Sequence, residues 1–243
     1  MSRFTAIKAA VNSAARYAGY EIRRVDASST MDAALARLAR SHANLRTFVD
    51  VGASDGRWSL MARRHFPAGT YLLIEALEDP HAADLRRIAE DPNIHVALAA
   101  AGDRAGTIHF DASDAFGGGA SETATGEGDL VIPMTTIDDE VERRDLPGPV
   151  LIKLDTHGFE IPIISGASRT LERTDVLIVE AYNFELGPGV LTFPAMCRYL
   201  GDRGFRVLDL VDVMRRPADQ ALWQFDLVFA RAERPEFQSN SYA

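Results

Sequence analysis

Acidic and histidine side chains gather at three places in the chain. Asp50 and Asp55 lie in Asp50-Val51-Gly52-Ala53-Ser54-Asp55-Gly56, and Glu75 closes a short apolar run. Asp155-Thr156-His157-Gly158-Phe159-Glu160 forms the third, with Glu180, Tyr182 and Asn183 beyond it. Carboxylates in a glycine-bearing loop suit a ligand carrying an ammonium or sulfonium, since opposite charges attract strongly once partly desolvated. Histidine exchanges a proton near neutral pH, so His157 is expected to be a general base, oriented or charge-stabilised by Asp155. Asp155, Glu180 and Asn183 also offer the oxygen ligands that suit Mg²⁺, although strand-end carboxylates serve equally as helix caps. Glu160, Tyr182 and Asn183 are expected on the substrate side, Glu160 having the alternative of a first-turn helix acid favoured by the dipole.

These residues follow short β-branched runs that alternate with helical segments from residue 47 onward, the pattern of a parallel sheet with crossover helices. The runs are Thr47 to Gly52, Tyr71 to Glu75, Ile94 to Ala100, Val150 to Asp155 and Val176 to Glu180. Helices are expected from about Gly56 to His65, from near Pro80, from Phe159 to Leu171 and from Thr192 to Leu200. Phe205 to Val213 and Trp223 to Ala230 alternate in period two and have too little between them for a crossover helix, so an antiparallel hairpin is expected. Thr107 to Phe110 and Val131 to Met134 read as short strands flanking a glycine-rich loop through Gly128, either a lid over substrate or a plain insertion. Lys153 lies inside an apolar strand and needs a carboxylate partner, Glu180 or another.

In such a sheet, ligands bind beyond the carboxyl ends of the strands where strand order reverses. The first loop is not a dinucleotide fingerprint, because Gly52 and Gly56 are too close together and Ser54 takes the middle glycine position; no phosphate-loop lysine follows Gly56. Its glycines permit close backbone approach. Glu75, at the end of the second strand, stands where an acid accepts both ribose hydroxyls. Together these point to S-adenosylmethionine, with adenine against Ala76-Leu77 and Ala99-Ala100-Ala101 and Asp103 near its amine. Asp50, Gly52, Ser54, Asp55, Gly56, Glu75, Ala76, Ala100 and Asp103 are therefore the expected cofactor residues.

Phe48 to Gly56, Ala101-Gly102-Asp103, Thr135 to Asp139 and above all Ile152-Lys153-Leu154-Asp155-Thr156-His157-Gly158-Phe159-Glu160 resemble the FkbM family of S-adenosylmethionine-dependent methyltransferases. Gly19 to Arg24 is similar to the lead-in of many members. The resemblance covers about residues 47 to 182. It implies an α/β fold of Rossmann-like class I methyltransferase type, with a mostly parallel seven-stranded sheet and an antiparallel C-terminal hairpin. It also implies O-methylation of a sugar or glycoconjugate hydroxyl in surface polysaccharide or glycolipid synthesis. A small natural product as acceptor, or a non-catalytic cofactor-binding assembly subunit, is the alternative. The family's usual block reads Ile-Lys-x-Asp-x-Glu-Gly-x-Glu, and His157 stands where that glutamate would be.

Composition bounds the partners. Among 243 residues, 26 Lys and Arg against 35 Asp and Glu give a net charge of -9, which disfavours nucleic acid. The single cysteine, Cys197, excludes an internal disulfide and a multi-cysteine zinc site. No apolar run approaches the ~18 residues of a membrane span, so a cytoplasmic protein is expected. Residues 1–46 read as an N-terminal helical extension whose amphipathic stretch from Arg3 to Gly19 covers a core edge or joins a homo-oligomer, with peripheral membrane attachment as the alternative. Residues 47–232 read as the methyltransferase domain and 233–243 as a tail.

Overall fold

Both faces of the main sheet are covered by helices, which is why its strands read as nearly unbroken apolar runs. The structure is a computed structural model, and it describes residues 17, 27–111, 120–121, 129–187 and 189–242. The expected helix over 3–19 and most of the loop over 117–128 lie outside the described residues.

In chain order, helix α1 spans Met31–Ser41, strand β1 Thr47–Val51, α2 Arg57–His65, β2 Thr70–Glu75, α3 Ala82–Ile88, β3 Ile94–Leu98, β4 Ala100–Ala101, β5 Gly106–Asp111, β6 Ala120–Ser121 and β7 Asp129–Thr135. There follow α4 Ile137–Arg143, β8 Val150–Leu154, α5 Glu160–Ser165, α6 Ser168–Glu172, β9 Thr174–Tyr182, α7 Phe193–Gly201, β10 Phe205–Arg215 and β11 Leu222–Arg231. The seven-stranded sheet has the order β10-β11-β9-β8-β1-β2-β3. Strands β3, β2, β1, β8 and β9 run parallel, and β11 is antiparallel to both β9 and β10. This is the expected Rossmann-like class I methyltransferase sheet with its antiparallel C-terminal hairpin. The order reverses between β1 and β8, so the crevice opens where Asp50-Val51-Gly52 and Lys153-Leu154-Asp155 leave the sheet side by side.

Alternation along each strand sorts the core into two layers. Val49, Val51, Ile152, Leu154, Leu177 and Val179 face α4, α5 and α7. Phe48, Tyr71, Leu73, Leu151, Val176 and Ile178 face α1, α2 and α3. Met31, Ala34, Leu35 and Leu38 of α1 join this second layer, so a helix within the segment read as an extension is packed into the main core. Thr30 caps it by accepting from the Ala33 amide at 3.3 Å, and Arg37 ties it to Asp209 of β10.

Two local readings change. The stretch from Phe159 to Leu171 is not one helix: it divides into α5 and α6 at Gly166-Ala167, where a Cβ on Gly166 would stand 2.0 Å from the Gly102 carbonyl oxygen. The strands expected around 107–134 form a separate four-stranded sheet, β4-β7-β5-β6, which also takes Ala100 from the end of the third run and Ala101 after it. Among the described residues, no helix is long and apolar enough to cross a membrane.

Candidate active site

A cavity of about 590 Å³ opens at the carboxyl ends of β1, β2, β8 and β9, where the antiparallel β11 begins. One end is bounded by Gly52, Ala53, Ser54, Glu75, Ala76, Leu77 and Ala99 to Ala101. The other is bounded by Lys153, Asp155, His157, Glu180, Gln224 and Asp226.

At the first end the chain turns out of β1 through left-handed conformations at Gly52 (φ 75) and Ser54 (φ 51). A Cβ on Gly52 would lie 2.0 Å from the Asp155 carbonyl oxygen, so glycine is required by the dihedral and by the contact between the two loops. The turn aims the Ser54 amide at Glu75, whose Oε2 accepts from it at 2.7 Å while Oε1 accepts from the Leu77 amide at 3.0 Å. Glu75 is thus held against rotation at the edge of the cavity. Each oxygen keeps a second lone pair for an outside donor.

At the other end a charge network is set by register. Asp50 faces Lys153 across β1 and β8. The Lys153 ammonium donates to Asp155 Oδ2 at 2.8 Å and reaches Asp50 Oδ1 at 3.5 Å, and Ser59 donates to Asp50 Oδ2 at 2.7 Å. Asp50 is fully buried and Lys153 is 5% exposed. Burial raises the Asp50 pKa despite the opposing Lys153 charge. For Lys153, burial works against the charged form, but Asp50 and Asp155 outweigh it and raise the pKa. Burial works likewise against Asp155, and the Lys153 charge and hydrogen bond overcome it, holding this carboxyl below its ordinary value.

His157 stands on the turn after β8, itself left-handed (φ 50) and followed by Gly158 (φ 114). Its Nδ1 lies 2.6 Å from the Tyr182 hydroxyl and 3.1 Å from Glu180 Oε2. Tyr182 spends its only proton on Glu180 Oε2, so the hydrogen between His157 and Tyr182 must sit on Nδ1. The lone pair of a neutral His157 is then on Nε2. Gln224 donates to the other Glu180 oxygen and fixes that carboxylate in turn. Burial, followed by the Glu180 charge and hydrogen bond, pushes the Tyr182 hydroxyl pKa up, so it stays protonated.

This geometry redistributes the expected roles. Gly52, Ser54, Glu75, Ala76, Ala100, Asp155 and His157 line the cavity; Asp50, Asp55, Gly56, Asp103, Glu160, Tyr182 and Asn183 are not among its lining residues. Asp50 lies beneath Lys153. Asp55 is bound to Arg57 at 2.8 Å, and Gly56 is the left-handed residue that starts α2. Asp103 is exposed beside Arg104, and the Asn183 amide donates outward to the Leu222 carbonyl. Glu160 is buried and accepts from the Gly158 amide at 2.8 Å, so it braces the turn that carries His157. Tyr182 positions His157, and the partner expected for that imidazole, Asp155, is engaged by Lys153 instead. Phe184 and Trp223 pair with each other at 5.2 Å away from the cavity, whereas Trp58 lines it.

Asp155, His157 and Glu180 each bring one ligand atom within 4.8 Å of the others. The donors as arranged do not suit a divalent ion. The ammonium of Lys153 occupies Asp155 and the Nδ1 hydrogen faces Tyr182 and Glu180, while Asn183, the third expected ligand, points elsewhere. Gln224 and Asp226, which line the cavity unforeseen, left one signal in the sequence: two polar residues at alternate positions of an otherwise apolar strand.

A seven-stranded sheet in this order, with a ligand-sized cavity at its switch point, defines a class I methyltransferase fold. The chain belongs to the FkbM methyltransferase family, since the family profile described as Methyltransferase FkbM domain matches residues 50–207. Hexuronic acid methyltransferase AglP of Haloferax volcanii is 30% identical over 77 residues, 32% of this chain and 32% of that protein. The crystal structure of methyltransferase FkbM from Methylobacillus flagellatus KT is similar with TM-score 0.49 and 18% identity, covering 76% of this chain and 44% of that one. The 1,6-didemethyltoxoflavin-N1-methyltransferase of Burkholderia thailandensis, with bound S-adenosylhomocysteine, gives TM-score 0.43 at 11% identity over 94% and 88% of the two chains. The chain therefore spans about a third of the curated relative and under half of the FkbM structure.

Proposed function

We propose that this protein transfers a methyl group from S-adenosylmethionine to a hydroxyl of a sugar or glycoconjugate. The observation that carries the reading is one cavity with a locked carboxylate, Glu75, at one end and an imidazole of defined tautomer, His157, at the other. The residues present fit the cofactor. Glu75 retains acceptor capacity for a ribose diol, Ala76 and Ala99 to Ala101 form a shallow apolar slot for a base, and the carboxylates beyond suit a cation. The cofactor supplies an electrophilic methyl group on a sulfonium.

The chain's own task is to hold the acceptor oxygen in line, keep it dry and take its proton. His157 Nε2 is the basic atom, and Glu180 stabilises the imidazolium through Nδ1. Lys153 keeps Asp155 charged but neutralised. The sugar assignment is supported by the short likeness to a hexuronic acid methyltransferase.

Calorimetric titration with S-adenosylmethionine and S-adenosylhomocysteine is expected to show binding of both, and absence of binding would overturn the reading. Labelled methyl transfer screened across nucleotide sugars, lipid-linked sugars and small polyols then identifies the acceptor. Product formed only on nitrogen would overturn the O-methyl assignment.

A further inference from the structure

Beyond His157 the cavity is walled by the C-terminal hairpin. Asp226 of β11 is the direct cross-strand partner of Glu180 of β9, and Gln224 is that of Tyr182, so the four side chains share one face. The β10–β11 pairing slips between Val211 and Met214, and there Asp212 turns left-handed (φ 51) and lines the same cavity. Asp212 accepts from the Met31 amide at 3.2 Å. The Asp226 carboxyl receives no hydrogen bond from any described residue, although it lines the cavity. The Asp226 carboxyl, facing the cavity, is left for a ligand hydroxyl to pair with.

The charge balance restricts that ligand further. Asp155, Glu180, Asp212 and Asp226 all line this end, while the cationic Lys and Arg side chains lining the cavity are Lys153 and Arg57. Both are already ion-paired, Lys153 with Asp155 and Asp50, Arg57 with Asp55. Among the described residues no lining Lys or Arg is without an ion-pair partner, so an anionic group would enter a partly desolvated site beside like charges.

We propose that Asp226, with Asp212 and Gln224 on the hairpin, forms an acceptor subsite for an uncharged polyhydroxylated ring, and that this subsite rejects uronates. The inference rests on the methyl-transfer reading above and separates this chain from a hexuronic acid methyltransferase. Burial, reinforced by Asp155, Glu180 and Asp212 against the opposing Lys153, pushes Asp226 up to about 7, so the site already resists one more negative charge.

The test uses the full chain and labelled S-adenosylmethionine on matched pairs that differ only in one carboxylate: UDP-glucose and UDP-glucuronate, lipid-linked glucose and glucuronate, and the methyl glucosides and glucuronides. Transfer to a neutral member at least tenfold faster than to its uronate is expected. Asp226→Asn, which keeps the shape and removes the charge, is expected to narrow that ratio by about tenfold. Faster transfer to uronates, transfer to neither class on any carrier, or an unchanged ratio in Asp226→Asn would overturn the inference. Cofactor titration on the same preparation separates the failures. Binding of S-adenosylmethionine without a neutral preference defeats the subsite alone, whereas no binding defeats the methyl-transfer reading beneath it.

Discussion

Lys153 donates a 2.8 Å hydrogen bond to Asp155 at the point where β8 leaves the sheet, and the same ammonium is the counter-ion of the fully buried Asp50. One cation thereby joins the cavity wall to the core. Replacing it strands a buried carboxylate, which typically costs about 3–5 kcal/mol. Lys153→Met is expected to lose stability of that size in urea unfolding at pH 7, and Lys153→Met with Asp50→Asn to recover much of it. A single variant as stable as the parent would show that the pair does not hold the strand ends together.

Glu75 is the residue expected to dominate cofactor affinity. Hydrogen bonds to a charged group contribute about 1.5–3 kcal/mol each, so Glu75→Gln is expected to weaken S-adenosylmethionine binding at least tenfold in calorimetry. Gly52→Ala tests the same end differently, since its added methyl meets the Asp155 carbonyl. Retained cofactor affinity in Gly52→Ala would contradict the close loop approach.

His157→Ala is expected to lower kcat by about 10² to 10⁴, the usual contribution of a general base, with cofactor affinity unchanged. Tyr182→Phe leaves Glu180 within reach of Nδ1 at 3.1 Å and should cost less, while shifting the pH–rate profile. Equal losses in the two variants would refute the assignment of Tyr182 as a positioning residue. Exhaustive chelation is expected to leave the rate unchanged, because Lys153 and the Nδ1 hydrogen occupy the only His–carboxylate cluster of the described residues.

Asp226 gives stability a pH dependence of defined sign. Its pKa is about 7 in the folded chain, raised from 3.8 by burial and by Asp155, Glu180 and Asp212 against the opposing Lys153. Between about pH 4 and 7 the unfolded chain releases this proton while the folded chain keeps it, so stability falls as pH rises, by at most on the order of 4 kcal/mol. Asp226→Asn is therefore expected to melt above the parent at pH 8 and together with it near pH 4. Identical melting at pH 8 would show that the carboxyl ionises freely.

The order of apolar runs determined the fold, because a strand buried on both faces must be apolar throughout and a crossover helix must separate parallel neighbours. Strand ends with Asp50-Val51-Gly52, Glu75 and Asp155-Thr156-His157 were equally readable, since topology alone carries them to one crevice. What side chains meet there was not. Asp50 and Asp155 look alike in sequence, yet pleat and register put one beneath Lys153 and the other in the cavity wall. Glu160 and Tyr182 read as ligand contacts, but a left-handed turn directs Glu160 at the backbone of Gly158, and an i, i+2 strand relation directs Tyr182 at Glu180, beside His157. Gln224, Asp226 and Asp212 reach the site from a hairpin far along the chain, and only the antiparallel insertion of β11 beside β9 brings them to Glu180. Local pattern specifies which elements form and in what order. Which charges are paired, which are buried and which are left for a ligand depends on contacts between strands distant in sequence, and those exist only in the folded chain.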